Sequence, residues 1–232
     1  MFSGIVEEYD GEKLYKYYSY SNCMEEMFAP VLNMTLRYRN PNSFNDPYDC
    51  YIAAKLDGEI QPIRSAGVYV CSLTTSFDDM LMWSHYASNH GGFVVEYDAK
   101  ELKKIDKYQM ESFSKVSYSD DILLRNLLSS NNDNSNKEIV EAIYHKARCW
   151  SYENEIRSVI YEIESEMPID IQLESNCISG IFLGSHFIKR RNGKIPHFLQ
   201  NWKEKKKLYY MQLSSNMYKL EKKQDIADQL FE

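Results

Sequence analysis

The chain has 232 residues, 44% hydrophobic and 26% charged, a globular composition that excludes a disordered, collagen-like or coiled-coil protein. Its 27 Lys and Arg against 34 Asp and Glu give a net charge of −7, which excludes a uniformly basic nucleic-acid coat but leaves room for a local basic patch. No apolar run approaches the ~18–20 residues needed to span a bilayer; with the acidic stretch from Met1 to Gly11, which has no signal-peptide core, this predicts a cytoplasmic protein with no membrane partner.

In chain order, the Tyr-rich run Leu14 to Ser19 predicts a strand. Asn22 and Glu25 form a capping-box pattern, followed by Met24, Met27, Phe28, Val31 and Leu32 at helical spacing. Leu36 and Tyr38 alternate with charged neighbours, as in a half-buried strand, and Pro41 to Pro47 is a loop by its turn-forming residues. Gly67 to Thr74 is rich in β-formers. Asp78 stands where it can cap a helix through Met82, Trp83 and Tyr86, and Gly91-Gly92 can stop that helix before a strand at Phe93 to Tyr97. Asp98 with Glu101 makes a further capping box. Ser129 to Asn136, SSNNDNSN, has nothing to bury and predicts a flexible loop. A helix over Lys137 to Trp150, a strand from about Tyr152, strands near Cys177 to Leu183 and Leu208 to Leu213, and a helix around His197 to Lys206 complete the reading. No linker or repeat divides the chain, and strands and helices do not alternate strictly. The prediction is one α+β domain over residues 1–232, with a central, mostly antiparallel sheet flanked by helices.

The five cysteines are scattered, odd in number and never spaced C-x-x-C, so neither a disulfide framework nor a zinc knuckle is expected; four sit among apolar or aromatic neighbours as small core residues would. Lys189 to Lys207 holds eight basic residues and one acid, Glu204, a net +7 that leaves the rest of the chain at −14. Such a segment is a solvated helix face or a patch for phosphate groups, with Lys189, Arg190, Arg191 and Lys194 as the contacts.

Phosphate-loop, dinucleotide-fingerprint, zinc-protease and nucleophile-elbow motifs are missing. Four patterns remain. Phe44-Asn45-Asp46-Pro47-Tyr48-Asp49 reads as a turn. Leu81 to Ala87 with His90-Gly91-Gly92-Phe93 crowds Trp83, His85 and His90 together, either as a core helix or as a ligand wall. In Lys146 to Arg157, period-two alternation would put Glu153, Glu155 and Arg157 on one strand face. That face is a salt-bridge ladder, or a group able to orient a ribose and a cationic transition state. Ile178 to Gly184, with two glycines, allows close backbone approach. One cleft lined by Trp83, His85, Tyr86, Trp150, Glu153, Glu155 and Arg157 is expected.

With these segments, and with Tyr15-Lys16-Tyr17, the chain resembles the domain of unknown function 2971 family of bacteria and their phages. Its members show the same landmarks in the same order: a Tyr/Lys-rich strand, FNDPYD, LMWSHYA with a following H-x-G-F, and K-x-x-x-W-x-Y-E-x-E-x-R. The resemblance runs from about Leu14 to Gly184 and fades beyond; it implies no activity, though the occurrence in bacteria and phages suggests a part in their conflict, as toxin or defence.

A second resemblance, to the ADP-ribosyltransferases, does imply one. Those enzymes carry a basic or His residue on a first strand, a Ser/Thr strand, and a Glu-x-Glu leading another strand. Here Lys16 stands near the first place, Cys71-Ser72-Leu73-Thr74-Thr75-Ser76 at the second and Glu153-Asn154-Glu155 at the third. Lys16 departs from the usual Arg or His and lacks the Arg fork of donors. The resemblance implies NAD as substrate, no metal, Glu155 stabilising an oxocarbenium-like ribose and Glu153 accepting a proton from the acceptor. Trp83, Tyr86 or Tyr152 would stack on nicotinamide and Ser72 or Thr74 would position the ribose, with Lys16, Tyr17, His85 and Arg157 completing the nucleotide site. The acceptor would be a nucleic acid or protein.

Two other classes fit the same residues. One is a binding module without turnover, recognising a nucleotide or phage component, in which the carboxylates form a structural network with Arg157 and Lys146. The other is a metal-dependent nuclease using Asp46, Asp49, Glu153 and Glu155, although the usual carboxylate–lysine spacing is missing.

Overall fold

The computed structural model describes residues 6–56, 59–63, 67–105, 113–121, 124–126, 132–161, 167–205, 207–224, 226 and 230–231. Eight strands form an open sheet: β1 (Lys13–Tyr18), β2 (Tyr69–Thr74), β3 (Phe93–Asp98), β4 (Ser114–Lys115), β5 (Glu155–Ile160), β6 (Ile178–Leu183), β7 (Lys207–Leu213) and β8 (Leu220–Lys223). Their order is β8-β7-β6-β3-β1-β2-β5-β4. The β1·β3, β1·β2, β3·β6, β5·β4 and β7·β8 pairs are antiparallel and β6·β7 is parallel. With its helices this is the α+β class expected from the irregular alternation of patterns.

The chain divides into two compact units, each assembled from three segments: residues 1–10, 37–72 and 106–171, and residues 11–36, 73–105 and 172–232. The divisions do not fall at the Asn/Ser-rich stretch. Of that stretch, 129–131 lie outside the described residues, while 132–136 belong to a helix, α2 (Asn132–Ile143), and not to a loop. The flanking apolar positions explain this: Val140 and Ile143 pack with Cys50, Val68, Val70, Tyr144 and Val159 in the core of the first unit, and a helix docked by its C-terminal half carries its polar first turns along.

The second unit is built on β1, β3 and β6. β3 is buried along almost its whole length, as its run Phe93-Val94-Val95 requires. Phe28 stacks on Phe93 with ring centroids 4.3 Å apart, and Phe77 on Phe182 at 4.9 Å. The helix α1 (Met80–Tyr86) is capped by Asp79, whose carboxylate accepts from the Met82 N–H at 2.8 Å, and not by Asp78. Asp98 caps its own short helix, its carboxylate accepting from the Lys100 and Glu101 N–H groups, but the box expected with Glu101 is only half formed, since the Asp98 N–H donates to the Cys177 carbonyl. The Asn22 capping box does not form: the helix Met24–Met27 starts from Cys23 with no side-chain cap.

Three further expectations are corrected. The strand near Leu36, Thr35–Tyr38, lies outside the main sheet and pairs with Ile169–Gln172. The helix expected to Trp150 ends at Ile143, giving way to a short strand, His145–Ala147, and a 3-10 turn, Arg148–Glu153. Of the cysteines, Cys50, Cys71 and Cys177 are buried, whereas Cys23 and Cys149 are exposed. Among the described residues no helix is long and apolar enough to cross a membrane.

Candidate functional site

The first unit holds a cluster of buried charges. Its local origin is the turn before β5. The 3-10 turn Arg148–Glu153 ends at Asn154, which adopts a left-handed conformation with φ 43° and ψ 50°, a state Asn tolerates better than most residues. Period two therefore relates Glu155 to Arg157 but not to Glu153. Glu153 joins them by the left-handed step, so the three side chains converge by a turn rather than along a strand face.

Lys146, from the strand before the turn, lies within reach of all three carboxylates. Its Nζ donates to Glu153 Oε2 at 2.6 Å and Glu155 Oε2 at 3.2 Å, and lies 3.4 Å from Asp49 Oδ2. Arg157 Nε donates to Glu155 Oε1 at 2.8 Å, and Nη2 to Glu155 Oε2 at 3.0 Å and Asp49 Oδ2 at 2.9 Å. Nη1 reaches the Ile143 carbonyl and Cys50 Sγ. The five N–H donors of the guanidinium are thus all engaged. Asp49, Lys146, Glu153, Glu155 and Arg157 are each 5% exposed or less, so three carboxylates face two cations in a medium that strengthens every pairing.

The electrostatics follow from that geometry. Burial by itself would raise the Glu155 carboxyl, but the Arg157 and Lys146 charges outweigh it and hold the group at about 2. Burial would lower Lys146, and Glu155 and Asp49 reverse this and raise it. Ser72, on β2 beside β5, hydrogen-bonds the Glu155 carboxylate. The Glu155 N–H donates to Tyr118 Oη at 2.9 Å; burial, as its largest cause, pushes that phenol up to about 12. The positions a metal would take among Asp49, Glu153 and Glu155 are occupied by the ammonium and guanidinium. Asp46 does not join them: Oδ1 accepts from the Tyr48 N–H at 2.9 Å, the expected turn, while Oδ2 is buried and unpartnered among the described residues. Above Lys146, the half-buried Trp150 lies 5.0 Å from its Nζ, with the Tyr152 ring 6.2 Å from Trp150.

The other predicted residues belong to the second unit and are described there. Trp83 is fully buried; its Nε1 donates to the Phe77 carbonyl at 2.7 Å, and its ring meets Tyr17 edge-on at 5.3 Å and lies parallel to His90 at 6.3 Å. Its faces are spent on packing, so it anchors a core instead of stacking on a ligand. Tyr17 is buried, donates to the Ser76 carbonyl at 3.2 Å, and is raised above the ordinary phenol range chiefly by burial. Thr74 is buried, and its Oγ1 accepts from the Ser76 N–H at 3.1 Å, so it builds a turn. Lys16 is half-buried on β1 opposite Val95. His85 is exposed and Tyr86 half-buried, with their rings 6.3 Å apart. Lys189, Arg190 and Lys194 are exposed and Arg191 half-buried.

Residues 82–158 match the model of a family described as "Protein of unknown function (DUF2971)", which bears out the resemblance to that family over this stretch. The matched stretch contains LMWSHYA from Met82, HGGF and the Lys146 to Arg157 pattern, but not Phe44 to Asp49. No curated protein and no solved structure matched the chain. Sequence reasoning missed Tyr118, which supports the Glu155 backbone from a strand 37 residues away, and missed that Asp49 is the second acid on Arg157. The Lys146 to Arg157 signature gave part of this cluster; nothing in sequence pointed to Tyr118.

Proposed function

We propose that the chain is an ADP-ribosyltransferase-like enzyme that cleaves NAD and passes ADP-ribose to a macromolecular acceptor. The observation carrying this reading is the hydrogen bond between Ser72 and Glu155 on neighbouring strands. The resemblance relates the Ser/Thr strand and the second acid of Glu-x-Glu, and here these two side chains touch. In the reaction the nicotinamide–ribose C–N bond breaks, its electron pair leaves with nicotinamide, and the sugar becomes oxocarbenium-like. Glu155 stabilises that charge and accepts a ribose hydroxyl in place of Ser72, which offers the same O–H donor. Glu153 takes the proton as the acceptor nucleophile bonds to the sugar. The Trp150–Tyr152 pair, beside a cluster with one excess negative charge, suits the cationic nicotinamide ring. The acceptor is a nucleic acid or protein.

A second reading has its own observation. Arg157 Nε, Arg157 Nη2, Lys146 Nζ and Ser72 already supply four hydrogen bonds to Glu155, the whole acceptor capacity of a carboxylate. A saturated Glu155 belongs to a module that binds a nucleotide without turning it over. Nicotinamide release by the purified chain, with and without nucleic acid and cell lysate, separates the two. Release that disappears in Glu155→Gln supports transfer; saturable NAD binding with no release under any condition supports the module. Neither release nor binding removes both.

A further inference from the structure

We infer that Phe77, Phe182 and Tyr209 of the second unit form a binding cup for a trimethylammonium group, kept filled by the chain's own Lys222 until such a ligand displaces it. The cup shares no residue with the Glu155 cluster and stands independently of the transfer reading.

Strand register brings the groups together. Phe182 on β6 lies opposite Tyr209 on β7, and Lys222 on β8 lies opposite Met211, two residues beyond Tyr209. Side chains two apart share a face, so Phe182, Tyr209 and Lys222 stand on one side of the sheet. Phe77 arrives from the turn before α1 and is held there by hydrogen bonds already in place. Its carbonyl accepts from Trp83 Nε1, and the neighbouring Ser76 is tied to Tyr17 Oη and Thr74 Oγ1. Phe77 and Tyr209 each pack on Phe182, with centroids 4.9 and 4.7 Å from it and planes tilted by 28° and 25°. The walls of the cup therefore stand before any ligand arrives.

Lys222 Nζ lies 5.0 Å from the Phe77 and Tyr209 centroids and 5.9 Å from that of Phe182, within the ~6 Å over which a ring face attracts a cation. Glu221 pairs with Lys223 instead at 3.7 Å, and among the described residues no carboxylate pairs with Lys222. An acid stands beside the cup. Tyr15 meets Phe77 at 5.4 Å and Phe182 edge-on at 6.0 Å, and its Oη donates to the buried Glu96 at 3.3 Å. Lys13 lies 3.6 Å from both Glu96 and Asp98. These three groups keep one negative charge in excess, which favours a cation in the cup.

Hydration selects the ligand. A lysine ammonium is a strongly hydrated point charge with three N–H donors, which ring faces satisfy less well than water does. A trimethylammonium group has no N–H to satisfy, sheds less water on entering and lays its methyl groups against the rings, the use that aromatic cages serve. Lys222 can make way without disturbing the sheet. Its side chain is exposed, β8 is a short strand at the sheet edge, and rotation about the side-chain bonds leaves that strand paired.

Calorimetric titration of the full chain and of Lys222→Gln with choline, with a short peptide carrying trimethyllysine, and with dimethylbutanol, the neutral carbon isostere of choline, tests this. Choline or the peptide should bind saturably, the tighter of the two naming a free head group or a modified protein as the source. Lys222→Gln should bind it roughly fivefold tighter, because the competing ammonium is gone. Phe77→Leu should bind it roughly fivefold more weakly, because the cup keeps its apolar bulk and loses a ring face. Dimethylbutanol should not bind. Equal binding of choline and dimethylbutanol would overturn the cation assignment, and equal affinity in wild type and Lys222→Gln would overturn the displacement. No saturable binding to either protein would overturn the site itself. If Phe77→Leu melts lower than wild type, the choline methyl signal in Lys222→Gln, a substitution at an exposed position, provides the second measurement. Ring currents should shift that signal upfield on binding, and an unshifted signal would overturn the cup.

Discussion

Arg157 is completely buried and spends its donors on Glu155, Asp49, Cys50 and the Ile143 carbonyl. Replacing it strands two carboxylates in the interior, and breaking a buried pair in this way costs about 3–5 kcal/mol. Arg157→Met should therefore lower the unfolding free energy by about that much in denaturant titration. Arg157→Lys should rescue only part, because one ammonium cannot span Asp49 and both Glu155 oxygens. Glu155→Gln asks a different question. In the transfer reading, nicotinamide release per folded molecule falls about a hundredfold or more; an unchanged rate per folded molecule leaves Glu155 as structure alone.

At the scale of elements, the left-handed Asn154 delivers Glu153 and Glu155 to the same lysine. A left-handed conformation costs a Cβ-bearing residue about 1–2 kcal/mol, and Asn offsets part of this. Asn154→Ala should destabilise by about 1 kcal/mol, and Asn154→Gly should be close to neutral, both read as shifts in denaturant midpoint. Gly92 answers to a steric demand instead: an added Cβ would lie 2.0 Å from the Tyr18 carbonyl. Gly92→Ala should thus cost far more than Asn154→Ala in the same titration, because the obstacle is backbone and cannot rotate away.

At the scale of the whole chain, the buried charge cluster belongs entirely to the first unit, which gives that unit a distinctive response to acid. Glu155 sits at about 2 in the folded protein against an ordinary 4.5, so its folded pKa is depressed. The stability it contributes is present above about pH 4.5 and is lost as pH falls towards 2, on the order of 3 kcal/mol at about 1.36 per pH unit. Hydrogen exchange should show protection in β4, β5 and α2 falling across that window. Arg157→Met should flatten the dependence, since Glu155 then loses the larger of the two charges holding it down. Equal pH dependence in the two proteins would mean that Glu155 is not the titrating group.

Composition and pattern alone determined the α+β class, the strands at Leu14, Phe93, Cys177 and Leu208, and the membership of Lys146, Glu153, Glu155 and Arg157 in one signature, because burial periodicity and clustered charged residues are written locally. What the tertiary structure decided lies in pairings that no local pattern encodes. Trp83 fitted a core helix or a ligand wall in sequence and is buried in a core, because the Tyr17 ring meets it edge-on, His90 lies parallel to it and the Phe77 carbonyl takes its N–H. Asn132 to Asn136 looked like a loop and is helix, because Val140 and Ile143 downstream find a core. Period two placed three charges on a strand face, whereas a left-handed Asn154 and the arrival of Asp49 and Tyr118 from other segments built the cluster. Side-chain period is a property of one segment; which donor meets which carboxylate depends on chain that is far away in sequence and brought near only by folding.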